Sequence, residues 1–346
     1  MNKSSSETDQ FWAIGSKLLV NRERGVANVL TNSQEFPRRS IRSCRPGDLR
    51  EHCSHEILWG IMDSSSRHFR SVLYIPASNA RATEKAKSLP VDAIIFDLED
   101  AVAVDEKPTA RLALATVLKE GGFGHRAILV RINGLATPWW REDLEALEGI
   151  EIDGILLPKV SGSGDIDELA PYLPNVPVWA MMETPIGILN AVDAAAHPRI
   201  AGFVMGTNDL AKDMGTRDRA DRLPLMTSLQ TCLVAAKASG IVCIDGVYNA
   251  FRDQDGLRIE SEQGRDLGFD GKTVVHPAQV EIANEVFSPS PEEIELARRQ
   301  IAAFEVATIE GQGVAVVDGQ IVENLHIEAA RALIAKAASV EALVLE

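Results

Sequence analysis

The sequence predicts an α/β fold: a closed (β/α)8 barrel of the TIM type, followed by a C-terminal helix–hairpin–helix extension. Three observations predict it. From Arg70 onward, short apolar runs alternate with amphipathic stretches. The runs are nearly continuous in apolar residues, as in strands buried on both faces of a parallel sheet. Eight such units succeed one another, and no G-x-G-x-x-G follows the first run, so a closed barrel fits better than a doubly wound dinucleotide-binding sheet.

The predicted strands are Val72–Ile75, Ala93–Leu98, Ile128–Ile132, Gly154–Pro158, Val178–Met182, Gly202–Met205, Ile241–Ile244 and Thr273–Val275. Helices are predicted to begin near Asn79, Glu106, Trp139, Asp165, Ile188, Leu225, Gln254 and Gln279. After the eighth unit, Ser288-Pro289-Ser290-Pro291-Glu292-Glu293 supplies a serine cap, a proline at the first helical position and early acids. A helix from Glu292 to about Ile309 is therefore expected. Val314–Val322 reads as a hairpin turning at Asp318-Gly319, and a last helix as Leu325–Ala338. This final module is too small to fold alone and must pack on the barrel or on a neighbouring subunit. The organisation expected is thus an extension over 1–66, a barrel over 67–288 and the module over 289–346.

Residues 1–66 are rich in Ser, Arg and Asn, without sustained periodicity, and are expected to be poorly structured. Phe11–Ile14 and Ile57–Ile61 are short apolar islands there. His52, Cys53 and His55 cluster in this extension. A metal site is conceivable, but with no core around them a solvated tail is the better reading.

Composition narrows the function. The chain has 346 residues, 45% of them hydrophobic and 25% charged, with a net charge of −15. Such an acidic chain is poorly suited to gripping nucleic acid or an anionic membrane, although a local basic pocket for a phosphorylated ligand is compatible with it. The four cysteines, Cys44, Cys53, Cys232 and Cys243, form no C-x-x-C pair or zinc spacing. Cys232 and Cys243 read as small core residues, and a reducing, cytoplasmic location is expected. No apolar run is long enough for a membrane span, and the N-terminus lacks the layout of a secretory signal.

The chemistry should lie at the C-terminal ends of the barrel strands. There the sequence places Asp97-Leu98-Glu99-Asp100, Arg131-Ile132-Asn133, Lys159, Glu183, Asn208-Asp209, Asp245 and His276. Any one of these acids can be a solvated loop residue; their recurrence at successive strand ends is the signal. Glu183 and Asp209 end two successive strands and can face one point. Two carboxylates with open positions suit Mg2+, or Mn2+, with water or an α-keto acid completing the shell. Arg131 is placed to stabilise an oxyanion or pair with a carboxylate. Glu99 and Asp100 can hold a metal-bound water or orient Arg131; alternatively they are acids at a helix N-terminus. His276 can be a base, but is better read as a hydrogen-bonded member of the pocket wall.

Seven strings occur in order: Arg70-Ser71-Val72-Leu73-Tyr74-Ile75-Pro76-Ala77-Ser78-Asn79, Phe96-Asp97-Leu98-Glu99-Asp100-Ala101-Val102, Val130-Arg131-Ile132-Asn133-Gly134, Leu157-Pro158-Lys159, Glu183-Thr184, Gly206-Thr207-Asn208-Asp209 and Val275-His276-Pro277-Ala278-Gln279. Together they resemble the citrate lyase β-subunit-like family, which includes malyl-CoA and citramalyl-CoA lyases, within the HpcH/HpaI aldolase group. The resemblance covers about residues 70–338. It implies a Mg2+-dependent barrel enzyme that breaks or makes a C–C bond between an acyl-CoA and an α-keto acid. It implies metal ligation by Glu183 and Asp209 and substrate contact by Arg131. It also implies a pocket that takes in Tyr74, Asn79, Lys85, Asn208, Val275 and His276, although Lys85 also reads as a solvated helix lysine. The family's hairpin often carries an Asp offered to a neighbouring subunit as acid or base. Here that position is Glu323, a departure that puts lyase against thioesterase activity in question, and Gly311-Gln312-Gly313 before it would let the arm swing.

The activity expected on these grounds is Mg2+-dependent cleavage or formation of a 3-hydroxyacyl-CoA such as malyl-, β-methylmalyl- or citramalyl-CoA. The products would be an acyl-CoA and glyoxylate or pyruvate, made by a homotrimer or homohexamer. The rival readings are a (3S)-malyl-CoA thioesterase, a citrate lyase β-subunit acting on a carrier-bound thioester, and a non-catalytic CoA-binding regulator.

Overall fold

The structure, a computed structural model, describes residues 67–345. The N-terminal extension, with its apolar islands, Cys44 and the His52–Cys53–His55 cluster, lies outside the described residues. Eight parallel strands close into a barrel in sequence order: β1 Ser71–Pro76, β2 Ala93–Asp97, β3 Ala127–Arg131, β4 Gly154–Leu157, β5 Val178–Met182, β6 Ile200–Met205, β7 Val242–Asp245 and β8 Gly271–Val274. The expected strands differ from these by three residues or fewer at their ends.

The strands are apolar throughout because each buries both faces. Inward residues including Val72, Ile95, Leu129, Leu156, Met181, Val204 and Ile244 fill the barrel. Trp179 is the widest of these fillers. A Cβ at Gly154 would meet its indole at 2.7 Å and one at Gly202 at 2.5 Å, so both flanking strands need glycine there. Outward residues such as Ile94, Val130, Ile155 and Phe203 join a larger core beneath the helices. Cys232 and Cys243 are buried in that core, and burial raises the Cys232 thiol to about 12.

The surrounding helices are α1 Ala80–Ala86, α2 Lys107–Glu120, α3 Trp140–Leu147, α4 Ser163–Leu169, α5 Pro185–Leu189, α6 Ala191–Ala195, α7 Thr207–Met214, α8 Met226–Ser239, α9 Gln254–Leu267 and α10 Val280–Val286. Helix α7 was not expected. Its two turns bury only Thr207 and Leu210, too few apolar positions to show a helical period.

The C-terminal module is α11 Pro291–Ile309, a hairpin of β9 Ala315–Val317 and β10 Gln320–Val322, and α12 Asn324–Leu345. Ser290 and Glu293 close a reciprocal capping box at the start of α11. Asp318 and Gly319 have φ of 50° and 77°, the left-handed pair that a type I′ turn requires. Helix α12 outruns the expected end at Ala338 because Ser339 to Leu343 contains no glycine or proline to stop it.

The module has its own apolar cluster of Ala307, Ala315, Val317, Val322 and Ile327. Ala332, Ala335 and Lys336 of α12 line a cavity with Phe69, Ile241 and Asp270, which precede β1, β7 and β8. The module therefore roots at the end of the barrel opposite the strand C-termini. Among the described residues no helix is long and apolar enough to cross a membrane.

Candidate active site at the strand C-termini

Register brings the first pair of charges together. Asp97 at the end of β2 lies beside Arg131 at the end of β3. Arg131 Nε donates to Asp97 Oδ1 at 2.8 Å and Nη2 to Oδ2 at 2.5 Å. This two-point bond fixes the guanidinium plane. Its third nitrogen, Nη1, faces Met181 Sδ at 3.5 Å and Glu99 Oε2 at 3.2 Å. The guanidinium carbon stands 5.2 Å from the centre of the half-buried Tyr74 ring, whose hydroxyl reaches Met181 Sδ. Arg131 thus has one nitrogen, rather than a whole free fork, to offer a ligand.

Glu99 leaves β2 two residues after Asp97, and its backbone N–H donates to Asp97 Oδ1 at 2.9 Å. Its Oε1 accepts from Lys159 Nζ at 2.8 Å. Its Oε2 is buried and lies near Arg131 Nη1 without the alignment of a hydrogen bond. Burial, only partly opposed by Arg131 and Lys159, raises the Glu99 carboxyl. The neighbouring Asp100 is exposed and lines a cleft of about 550 Å³ together with Glu99, Lys107, Trp139, Pro158 and Lys159. Lys107 is buried there by bonds to the carbonyls of Leu98 and Glu99.

Glu183 follows β5 and is fully buried. Its Oε1 accepts the backbone N–H of Lys159 at 2.8 Å. Its Oε2 has no hydrogen-bond partner among the described residues. Burial first, then the charge of Glu99, pushes its carboxyl up to about 7. A buried carboxylate oxygen without a donor is costly, and it implies a partner that protein atoms do not supply. The orphan oxygen lies against Gly206, where a Cβ would come within 2.6 Å of it. Gly206 is the cap residue before α7, whose first turn carries the half-buried Asp209. The side chain of Asp209 has no hydrogen bond or ion pair among the described residues. No group of three or more His, Cys, Asp or Glu among the described residues has metal-cage spacing. A pair of carboxylates and open positions is instead what a hydrated Mg2+ uses.

The other expected residues take varied places. Asn208 exchanges amide hydrogen bonds with Asn249, tying α7 to the loop after β7. Asn79 caps α1 by accepting from Ala82 N–H at 3.0 Å, and Lys85 is exposed on that helix. Val275 is exposed, its N–H held by Gln279. His276 is exposed, caps the short turn at Pro277–Gln279 through Nδ1 and stacks on Phe251. Glu323 is exposed on the C-terminal module, in the half that packs on itself. The structure brings Tyr74, Glu99, Arg131 and Glu183 together around Met181 and Lys159, and it leaves Asn79, Lys85 and Glu323 outside that group.

Sequence reasoning gave no role to Asp97 or Lys159. Asp97 was legible in principle, since in-register parallel strands ending in Asp97 and Arg131 must set those charges side by side. The double contact of Lys159 was not, because it depends on a left-handed backbone, φ 55°, at a residue that is not glycine.

Comparison with known proteins places the chain among relatives of known family. Residues 70–277 match the model of the family described as HpcH/HpaI aldolase/citrate lyase. A protein of Cereibacter sphaeroides strain KD131 named (3S)-malyl-CoA thioesterase is 61% identical over 281 residues, covering 81% of this chain and 99% of the relative. The citrate lyase subunit beta of Leuconostoc mesenteroides subsp. cremoris is 34% identical over 273 residues, covering 75% of this chain and 90% of its own. Among solved structures, the CitE protein of Mycobacterium tuberculosis in complex with magnesium, acetoacetate and coenzyme A superposes with a TM-score of 0.69. It is 31% identical, covering 79% of this chain and 99% of that one. On its sequence, its barrel and the acids at its mouth, the chain belongs to the HpcH/HpaI aldolase/citrate lyase family.

Proposed function

We propose that this chain is a magnesium-dependent enzyme acting on a 3-hydroxyacyl-CoA of the malyl-CoA type, and that it hydrolyses the thioester. The observation that carries the metal is the orphaned, buried Oε2 of Glu183 beside the helix that bears Asp209. The relatives named (3S)-malyl-CoA thioesterase, at 61% identity over nearly their whole length, support hydrolysis as the finer reading. The M. tuberculosis CitE complex with magnesium and coenzyme A supports both the ion and the thioester class.

Glu183 and Asp209 would hold Mg2+, or Mn2+ in its place. Bound there, the ion supplies Lewis-acid polarisation to the oxygens of a hydroxy acid. The protein residues do the rest. Arg131, locked by Asp97, presents Nη1 to a developing oxyanion. Glu99 Oε2 lacks a donor and accepts a hydrogen from a bound water or hydroxyl. The cleft between the loops after β2, β3 and β4 takes the acyl chain and part of the CoA arm, and Tyr74, Asn79, Lys85, Asn208, Val275 and His276 have the substrate-binding roles that the family resemblance implies. In hydrolysis the C–S bond is exchanged for a C–O bond from water, and the released thiolate takes up a proton.

A second reading is C–C cleavage to an acyl-CoA and a keto acid, favoured by the 34% identity to a citrate lyase subunit beta. In either reading Glu323 is a proton carrier supplied by a neighbouring copy in a trimer or hexamer. The module roots at the opposite end of its own barrel, and α11, about 28 Å long at 1.5 Å per residue, carries the hairpin away from that root. Incubating the protein with (3S)-malyl-CoA and Mg2+ separates the readings. Malate with free thiol supports hydrolysis, whereas glyoxylate with acetyl-CoA supports cleavage. Turnover undiminished by excess chelator contradicts both.

A further inference from the structure

Lys159 follows β4 in a conformation that side chains seldom adopt. Among the described residues three non-glycines have a left-handed φ: Lys159, Arg222 and Asp318. The other two have evident local reasons. Asp318 makes the hairpin turn, and Arg222 turns to hold buried Asp245 at 2.7 Å. Glycine would adopt the Lys159 conformation without steric cost, so a lysine there calls for a reason.

The surroundings enforce the turn. Asn190 of α5's C-terminal end donates to Ser161 O at 2.7 Å. Ser161 N–H is held by Asp165 at 2.6 Å. Gly187 lies so close to Val160 that a Cβ there would sit 2.2 Å from its carbonyl oxygen. The loop is thus pinned from both sides, and the left-handed residue has two products. Its N–H is aimed at Glu183 Oε1, at 2.8 Å, and its ammonium at Glu99 Oε1, at 2.8 Å. The same ammonium is 3.9 Å from Glu183 Oε1. One oxygen of each carboxylate is therefore occupied by Lys159, and the other, Oε2 in both cases, has no hydrogen bond among the described residues.

We propose that Lys159 is a positioning residue: backbone and side chain together clamp Glu183 and Glu99, so that their two unbonded oxygens are preset for a hydrated divalent cation. The inference rests on the metal reading above and adds to it the element that shapes the site. It also carries a sign that distinguishes it from simple electrostatics. A lysine that merely placed positive charge near a dication would weaken its binding, and its removal would tighten that binding. A clamp does the reverse, since partners that orient metal ligands typically contribute about 10- to 100-fold in affinity.

The test is Mn2+ binding to the metal-free full-length chain, followed by calorimetry or by the Mn2+ spin resonance signal. Lys159→Met keeps the backbone N–H and most of the side-chain length but removes the ammonium. It should weaken Mn2+ about 10- to 100-fold, with Lys159→Arg recovering most of the loss and the melting temperature of the metal-free protein little changed. Glu99→Gln should weaken binding similarly, and the double variant should add little to either single one, as coupled partners do. Saturable binding by the unaltered protein with equal or tighter binding by Lys159→Met overturns the inference alone. No saturable binding by the unaltered protein overturns the metal reading and the inference with it.

Discussion

Glu183 makes the metal-free protein sensitive to pH in a direction opposite to that of an ordinary salt-bridged acid. Its carboxyl is carried from 4.5 to about 7, first by burial and then by the charge of Glu99. The unfolded chain releases this proton near 4.5, while the folded chain keeps it to about 7. Across that window the folded state binds more protons, so the contribution of Glu183 to stability falls as pH rises. The interval amounts to about 3 kcal/mol. Without divalent metal, the unaltered protein should therefore lose about 2.5 kcal/mol between pH 5 and 8 relative to Glu183→Gln, which carries no such charge. Magnesium should restore the loss preferentially at high pH, where the carboxylate is formed, by about 2.7 kcal/mol at a hundred times its Kd. The assay is urea unfolding followed by circular dichroism, with both proteins at pH 5, 6, 7 and 8, in chelator and in Mg2+. A stability difference between the two proteins that is constant from pH 5 to 8 in chelator would refute the reasoning.

Three further outcomes are expected. Gly206→Ala would set a Cβ 2.4 Å from Glu183 Cβ; it should cost about 1–3 kcal/mol in unfolding free energy and weaken Mn2+ binding in calorimetry. Asp97→Asn should release the Arg131 plane and lower kcat about 100-fold with little change in fold, measured by steady-state kinetics and near-ultraviolet dichroism. Glu323→Ala and Glu183→Gln proteins, each inactive alone, should regain part of the activity when their subunits are mixed and exchanged, and persistent inactivity would show that Glu323 does not cross between copies.

Much of the barrel was legible because a parallel barrel writes itself plainly into sequence. Each strand buries both faces, so each reads as a compact apolar block, and closure repeats the block eight times. The Asp318-Gly319 turn and the Ser290 cap were legible for a different reason, since each is fixed by its own residues and needs no tertiary partner. Helix α7 failed both conditions. It is short, it buries Thr207 and Leu210 alone, and its Gly-Thr-Asn-Asp start looks like the polar end of a strand. The contact of Lys159 with two carboxylates from other strands was invisible for the same reason at higher order. It requires a left-handed backbone at Lys159, in a loop whose next residues, Val160 and Ser161, are packed against Gly187 and Asn190, about thirty residues further along the chain.

Charge at the strand ends marks residues of two different kinds. Asp245, at the end of β7, belongs to the same series as Glu183, and in the structure the two have opposite characters. Asp245 accepts from Arg222 with both oxygens at 2.7 Å, and Lys272, itself bonded to Glu260 at 2.7 Å, stands 3.4 Å away. Its charge is matched, burial notwithstanding, and its carboxyl stays below the usual range. Glu183 is equally buried, yet it has a single backbone donor on one oxygen and a second carboxylate as neighbour, and its carboxyl is driven upward. Removing Asp245 would take from buried Arg222 its close charged partner and leave Lys272 with Glu260 alone, so stability alone explains it. Glu99 is paired with Lys159 and lies near Arg131, yet its Oε2 and that of Glu183 are buried without a hydrogen bond among the described residues, which adds cost to the folded chain. What separates the proposed functional side of the barrel mouth from the side around Asp245 is therefore the imbalance of its buried charge, a property that appears only when partners are counted atom by atom.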